Sequence, residues 1–119
     1  MSLALICLAA IATDGDTLRC ANLHSGTPKL RLARVDAPEM PGHCRRGRDC
    51  APGDPYAAKA FLQALVKGRN VPCRRVDANP AKKGFQRLDP WKRPVVRCTV
   101  NGVDLSEAIL AAGHGRVWP

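Results

Sequence analysis

Two short stretches of the sequence decide the fold: DGDT at residues 14–17 and RLARVDAPE at residues 31–39. In the first, two carboxylates flank a turn glycine directly before an extended segment. In the second, a strand ends in two more carboxylates, and Pro38 takes the chain out of a β-ladder because proline has no backbone N–H. Each stretch alone is typical of an ordinary turn or strand end. Together they place four acids at strand ends, where a hard cation or arginines must neutralise them.

Alternating and apolar segments predict the order of the strands. Residues 17–23 and 29–35 form a predicted hairpin around the turn-rich residues 24–28. Two further strands are predicted at residues 70–76 and 94–100, on either side of a basic loop. A long loop rich in Pro, Gly, Arg and Cys covers residues 40–55. The pattern therefore predicts a mainly β protein of the α+β class.

A first helix is predicted between Asp54, which suits the N-cap with Pro55 in the first turn, and Gly68, which suits the end. Its i, i+3, i+4, i+7 spacing predicts four core-facing residues, namely Ala58, Phe61, Leu62 and Leu65.

A second short helix follows the turn signal Asn101-Gly102. Asp104 and Glu107 read as a capping pair, and Gly113 ends the helix. Its predicted apolar face consists of Leu105, Ala108, Ile109 and Ala112.

Length and composition exclude several classes of protein. The chain has 119 residues, of which 45% are hydrophobic, enough for one globular domain and too few for a multidomain enzyme. This apolar share is unlike that of a disordered polymer. The longest apolar run, residues 3–12, is shorter than the roughly 20 residues that span a bilayer. No stable membrane insertion is expected.

The net charge of +9 is concentrated in one part of the chain. Residues 67–97 hold ten Lys and Arg against two acids, whereas the remainder is nearly balanced. A basic face beside a carboxylate cluster favours a polyanion held next to a cation. The alternative is that these basic residues only keep a small domain soluble.

Residues 1–12 have two interpretations. The apolar run and Ala10-Ile11-Ala12 resemble the core and cleavage site of an export signal, although no Lys or Arg precedes Arg19. The same run is typical of a buried first strand. With residues 13–119 as the domain proper, we expect a secreted or periplasmic protein, with the cytoplasm as the alternative.

The two opening stretches, Arg93 ahead of Val95-Val96-Arg97-Cys98, and residues 101–105 together resemble the staphylococcal nuclease (thermonuclease) family, in that family's order. The resemblance extends over residues 13–117. It implies a five-stranded barrel of the oligonucleotide-binding (OB) type with two short helices packed against it. Where the family usually has Tyr-Gly-Arg, this chain has Trp91-Lys92-Arg93, followed by Pro94.

The resemblance also implies a metal site. Asp16 and Asp36 match the carboxylates that bind one Ca²⁺ in the family, and the backbone carbonyl of Ala37 matches the third protein ligand. Alanine replaces the threonine that is frequent there but keeps the carbonyl. Oxygen ligands of this kind are the ones that calcium prefers.

Three further residues match the family's catalytic positions. Glu39 matches the residue that orients or deprotonates the attacking water, and Arg31 and Arg93 match the pair that grips the phosphate. Guanidinium groups can stabilise the charge that a phosphodiester gains in its five-coordinate state. The alternatives are a structural salt bridge between Arg31 and Asp36, and a plain surface cation at Arg93.

Two functional classes follow. The first is a monomeric, calcium-dependent endonuclease, a phosphodiesterase that hydrolyses DNA and RNA with low sequence specificity and, by resemblance, leaves 3′-phosphates. The second is a non-catalytic OB-fold module that binds nucleic acid. A structural metal-binding domain is a third and more distant class.

The six cysteines allow 15 pairings. The preferred set joins Cys44 to Cys50, Cys73 to Cys98 and Cys7 to Cys20, bracing a small barrel. A zinc site built from His43, Cys44 and Cys50 competes with it, although no Cys-x-x-Cys spacing occurs. Free buried thiols in a cytosolic protein are a further option.

Overall fold

The computed structural model describes residues 3–23 and 29–118. Over these residues the chain is mostly β-sheet with two helices, which confirms the predicted α+β class. The elements are β1 (Ala4–Cys7), β2 (Ile11–Asp14), β3 (Thr17–Arg19), β4 (Lys29–Leu32), β5 (Val35–Asp36), α1 (Pro55–Val66), β6 (Val71–Arg75), β7 (Val95–Val100), β8 (Val103–Asp104), α2 (Leu105–Ala111) and β9 (Arg116–Val117).

One sheet has the strand order β1-β6-β7-β4-β3-β2, with β8 paired to β7, while β5 and β9 form a separate pair. Pairing is parallel between β4 and β7 and antiparallel elsewhere. The two ends of this order, β1 and β2, are consecutive in the chain. Their linker bonds to neighbouring segments on both sides, since the Ala10 amide donates to the Arg69 carbonyl and the Leu8 carbonyl accepts from the Ala21 amide.

The predicted hairpin is confirmed in its pairing, because Thr17 lies opposite Arg31 and Arg19 opposite Lys29. Its predicted turn, residues 24–28, falls outside the described part of the chain. Both strands are shorter than predicted. A left-handed residue, Arg34 (φ 66°), separates β4 from β5, so that the predicted segment 29–35 is divided in two.

The first apolar segment contributes to both ends of the sheet. Part of residues 3–12 forms β1 and the start of β2, as the strand interpretation expects. Cys7, Ala10 and Ala12 are buried in the core. Neither helix in the described residues has the length and apolar character needed to cross a bilayer.

Helix α1 begins and ends where its capping residues predict. The Asp54 carboxylate accepts hydrogen bonds from the amides of Tyr56 and Ala57, and Gly68 adopts a left-handed conformation (φ 70°) just past the C-cap. Ala58 and Leu62 are fully buried. The predicted Phe61 and Leu65 are partly buried against the same core, and the helix also buries Val66.

Helix α2 follows the predicted turn, in which Asn101 (φ 52°) and Gly102 (φ 77°) connect β7 to β8. Asp104 caps it by accepting from the Glu107 amide at 3.0 Å. Leu105 and Ile109 are buried as predicted, but Ala112 is exposed, so its assignment to the apolar face is wrong. The physical reason is that α2 ends at Ala111, which leaves Ala112 as the cap.

The core lies between the sheet and the two helices, and its largest buried side chains are Leu18, Leu30, Leu32, Leu62, Leu105 and Ile109. Helix α1 packs against β2, and α2 packs against β7 and β5. Gly15 permits the closest of these approaches. A Cβ there would lie 2.7 Å from the Ala58 Cβ and 2.8 Å from the Ala37 Cβ, so only glycine fits between α1 and the end of β5.

Candidate active site

All six residues that the sequence singles out line one cavity of about 330 Å³: Asp16, Arg31, Asp36, Ala37, Glu39 and Arg93. The lining is completed by Asp14, Lys29, Pro38, His43, Arg48 and Trp91. Four carboxylates and four permanent cations therefore face one another. This volume is at the lower end of the range of small-ligand sites.

Strand pairing explains why distant residues meet here. Opposite pairing of Thr17 with Arg31 brings Asp16 to the end of β4. The Arg31 amide donates to the Pro94 carbonyl at 2.9 Å, as β4 and β7 begin to pair in parallel. Because Pro94 contributes its carbonyl, it does not interrupt this pairing, and Arg93 emerges beside Arg31.

Arg31 is the centre of the buried part of the site. Its Nη1 lies 3.1 Å from Asp16 Oδ2, and its Nη2 lies 3.8 Å from Asp36 Oδ1. The same Nη1 donates to the carbonyls of Leu32 at 3.0 Å and Val35 at 2.7 Å. The salt bridge with Asp36 considered from the sequence is therefore present, within a larger network that also ties the turn between β4 and β5.

Asp16 is held by the backbone and side chains around it. Its Oδ2 accepts from the Ala37 amide, and its Oδ1 accepts from the Thr17 hydroxyl, each at 2.9 Å. Only 7% of the residue is exposed. The Asp16 carboxylate therefore connects residues 14–17 with residues 31–39.

Asp36 has a partner that sequence reasoning missed. Arg116 lies directly opposite it in the β5–β9 pair, with Nε 3.1 Å from Asp36 Oδ2. The Arg116 Nη2 also donates to the Asp49 carbonyl at 2.9 Å. Arg116 thus connects the β5 carboxylate to the loop that carries Cys50. A two-residue strand 80 positions away offers no local signal for this contact.

Glu39 lies within a second ion pair that the sequence did not indicate. Arg48 Nη1 is 2.7 Å from Glu39 Oε1, and 19% of the Glu39 side chain is exposed. Arg48 and Asp49 are consecutive residues of the loop closed by Cys44 and Cys50, so this loop contacts both Glu39 and Arg116. The sequence marked this loop by its basic residues and its two cysteines, but it gave no signal for the contact between Arg48 and Glu39.

Arg93 is positioned by Asp89, four residues earlier. Asp89 accepts from the amides of Trp91 and Arg93, and its Oδ2 lies 2.8 Å from Arg93 Nε. Arg93 Nη1 also reaches the Thr17 hydroxyl at 3.5 Å. Arg93 is therefore bonded and partly buried, unlike a plain surface cation. The Asp89-Pro90 dipeptide, a common start of a turn, was the signal that could have identified the positioning residue.

Asp14 is a further carboxylate of the cavity. Its Oδ1 is buried with no hydrogen-bond partner, and His43 Nδ1 lies 3.8 Å from it. Burial, followed by the negative charge of Asp16, raises the pKa of Asp14, and the neighbouring His43 and Lys29 oppose this shift. Among the described residues, the one group of three acidic, Cys or His side chains whose ligand atoms lie within 4.8 Å of one another is Glu39, Cys44 and Cys50, so Asp14, Asp16 and Asp36 do not form a preassembled cation site.

The three preferred disulfides are all present: Cys7–Cys20, Cys44–Cys50 and Cys73–Cys98. Cys73 and Cys98 lie directly opposite each other in β6 and β7. The zinc alternative is wrong, because the sulfurs of Cys44 and Cys50 are bonded to each other and cannot act as thiolate ligands. Free buried thiols are likewise absent, since all six cysteines are paired.

No protein-family model matches the chain, and no curated protein matches it.

Proposed function

We propose that the protein is a calcium-dependent nuclease that hydrolyses phosphodiester bonds of DNA and RNA with low sequence specificity. The observation that carries the proposal is the meeting of Asp16, Arg31, Asp36, Glu39 and Arg93 at one cavity, from three separate parts of the chain. Charge-assisted networks also occur as plain structural features. In this network, however, the side chains of Arg48, Arg93 and Glu39 stay partly exposed inside a concave site, as binding or catalytic groups are.

The strand order supports an OB-type barrel as the scaffold. If β1 and β2 are taken as one bent strand, the order β1-β6-β7-β4-β3-β2 begins and ends on the same segment. The sheet then consists of five strands with no free end, as closure of a small barrel requires. Three disulfides favour an oxidising compartment, and we propose a secreted or periplasmic location.

The cation would be held by Asp16 and Asp36 with the carbonyl of Ala37, and Asp14 would add negative charge at the same place. These residues provide only oxygen donors, of the kind that Ca²⁺ prefers, and Asp14 Oδ1 accepts no hydrogen bond although His43 Nδ1 lies 3.8 Å from it. When bound, Ca²⁺ would supply a Lewis acid for the charge that develops on the phosphoryl oxygens.

The protein's own residues account for the remaining steps. Arg31 and Arg93 would bind the phosphate oxygens through their forked N–H groups, a geometry that lysine cannot reproduce. Glu39 would accept a proton from the water whose oxygen attacks phosphorus. The bond from phosphorus to the 5′-oxygen then breaks, and that oxygen takes up a proton from solvent.

The surface next to the cavity fits a nucleic-acid strand. A second cleft of about 600 Å³ shares Arg31, Arg48, Trp91 and Arg93 with the first. Trp118 also lines it, and both tryptophans are nearly half exposed. Exposed rings beside arginines suit stacked bases and a backbone without base-specific readout.

A non-catalytic nucleic-acid-binding module is the second candidate. One observation favours it: Glu39 is paired with Arg48, and Asp36 with Arg31 and Arg116, so these carboxylates are neutralised without any cation. Such a module would bind single-stranded DNA equally well with calcium or a chelator and would leave it intact.

Cleavage assays separate the two candidates. Purified protein is incubated with single-stranded DNA or RNA in calcium and then in chelator, beside Glu39→Gln and Glu107→Gln. Glu107 is the chain's other glutamate, exposed on α2 and outside the cavity, and it serves as the matched control. We expect calcium-dependent cleavage that Glu39→Gln lowers by about 10²–10⁴-fold and Glu107→Gln leaves unchanged. Cleavage that persists in chelator, or full activity of Glu39→Gln, would exclude the proposed mechanism.

A further inference from the structure

Arg48 is a cavity residue to which the reaction described above gives no role. It lies in the loop closed by Cys44 and Cys50 and lines both the cavity and the adjoining cleft. Its guanidinium bonds Glu39 and lies over the Trp91 ring, 4.9 Å from the ring centroid.

We propose that Arg48 is a third phosphate-binding arginine, held on Glu39 in the free protein and transferred to a substrate phosphate on binding. The transfer would release Glu39 to accept the proton of water. The inference rests on the proposed nuclease function and adds a substrate-binding residue to it.

The loop that carries Arg48 is anchored at several points around Glu39. The Cys44 and Cys50 sulfurs lie within 4.8 Å of a Glu39 carboxylate oxygen. Arg116 donates to the Asp49 carbonyl at 2.9 Å, which fixes the residue next to Arg48. Because the backbone is held on both sides, the Arg48 side chain can change partner without the loop leaving the cavity.

The neighbours of Arg48 place it where a phosphate would sit. Trp91 has a second arginine near its ring, since Arg93 Cζ is 5.6 Å from the centroid. The two guanidinium groups therefore lie beside the same ring, and one of them belongs to the predicted phosphate-binding pair. Both arginines also line the cavity and the adjoining cleft, so a phosphate backbone bound along them would meet both groups.

The ion pair with Glu39 is one that a phosphate can replace. About a third of the Arg48 side chain is exposed (34%), and partly exposed ion pairs contribute little net free energy. A phosphate offers the fork of Arg48 two oxygens and keeps the bond charge-assisted. By contrast, Arg31 has four acceptors around it and little freedom to move.

Competition between Glu39 and phosphate gives a signature that a structural role lacks. If Glu39 occupies Arg48 in the free protein, the apparent affinity for substrate is reduced by the fraction of molecules in which Arg48 is free. Glu39→Gln should then tighten the binding of single-stranded DNA in chelator. The gain in affinity from Glu39→Gln should be smaller when the change is made in the Arg48→Ala background, because the guanidinium that Glu39→Gln releases is then absent.

The test compares Arg48→Ala and Arg48→Lys with Arg46→Ala, an exposed arginine of the same loop that lines neither cavity. We expect Arg48→Ala to raise KM by about tenfold and to lower the salt slope of DNA binding by about 0.7, the value for one phosphate contact to a single strand. Arg48→Lys should recover the salt slope and only part of the affinity, and Arg46→Ala should match the wild type. Thermal unfolding of each variant checks that the fold is intact.

The outcomes separate the two proposals. If the wild-type chain does not cleave, the proposed nuclease function fails. If the wild type cleaves but Arg48→Ala keeps its KM and salt slope and lowers only kcat, Arg48 merely positions Glu39 and the phosphate-binding role is overturned. If Glu39→Gln tightens DNA binding as much in the Arg48→Ala background as in the wild type, Arg48 does not exchange Glu39 for a substrate phosphate.

Discussion

The two sides of the cavity are built differently. Asp16, Arg31 and Asp36, here the strand wall, lie in or beside β3, β4 and β5, and their side chains are 7–13% exposed. Glu39, Arg48, Trp91 and Arg93, the loop wall, lie in loops, and the three charged side chains among them are 19–34% exposed. Sheet pairing therefore fixes the side with the predicted cation ligands, while the loop wall is held by side-chain contacts and a disulfide.

The largest expected effect comes from removing the centre of the strand wall. Arg31→Ala leaves the buried Asp16 without its ion pair and leaves Asp36 with Arg116 alone. Breaking a buried pair from one side typically costs about 3–5 kcal/mol. We expect a loss of that size in the free energy of unfolding, measured by urea denaturation.

Arg93→Ala is the matched change in the loop wall. Arg93→Ala should lower the free energy of unfolding by less than half as much as Arg31→Ala does, because Asp89 still accepts hydrogen bonds from two backbone amides. It should nevertheless abolish most cleavage. Equal losses of stability in the two variants would contradict the distinction between the walls.

The disulfides make the next comparison. Cys73 and Cys98 are 25 residues apart and cross-link β6 to β7, whereas Cys44 and Cys50 are six apart and hold the loop wall. Loop-closure entropy predicts that replacing the first pair by alanine costs about 3–4 kcal/mol and the second about 2 kcal/mol.

Activity should follow the opposite order. Cys44→Ala/Cys50→Ala frees the backbone of Arg48 and should lower kcat/KM more than Cys73→Ala/Cys98→Ala does, when both are assayed below their unfolding transitions. A loop variant that retains wild-type kcat/KM would show that the loop wall does not depend on its disulfide.

The smallest effect concerns Asp14. Its pKa is raised above the ordinary value of 3.8, so the folded state holds this proton more tightly than the unfolded chain does. The resulting stabilisation is full below pH 3.8 and is lost as the pH rises through the raised value. Asp14→Asn should therefore be slightly more stable than the wild type near pH 7, and the difference should vanish in acid.

Thermal unfolding from pH 7 down to about pH 3 measures this difference, with Glu107→Gln as the exposed control. Saturating calcium should reverse the order at pH 7, because a bound cation stabilises the folded wild type by mass action and the asparagine has lost the charge that attracts it. An Asp14→Asn variant less stable than the wild type at pH 7 in chelator would contradict the assigned cause of the shift.

Features governed by near neighbours were predictable. Asp54 and Asp104 were identified as helix caps because the amides they bind lie two or three residues away. The pairing of β3 with β4 followed from two extended segments on either side of a turn. Ala112 was misplaced because periodicity does not show where α2 stops. Helix ends depend on a few residues, so an error of one position is enough to expose a side chain.

The acidic part of the candidate site was predictable from its chemistry, because acids beside a turn and at a strand end fit a cation. Arg31, Glu39 and Arg93 were singled out only by the resemblance to the staphylococcal nuclease family. The partners of those residues were not recognisable. Arg116 reaches Asp36 across 80 positions, and Arg48 reaches Glu39 from within a loop that a disulfide closes.

Local order thus determined the helices and the pairing of β3 with β4, since capping and turn formation act over a few residues, and the order of motifs along the chain indicated the candidate site residues by resemblance. Long-range packing decided which charges neutralise which, how deeply Asp14 is buried, and that β1 and β2 occupy the two ends of one sheet. The physical reason is that the electrostatic free energy of a charged group depends on all the groups within a few ångströms of it. Most of those neighbours are distant in sequence.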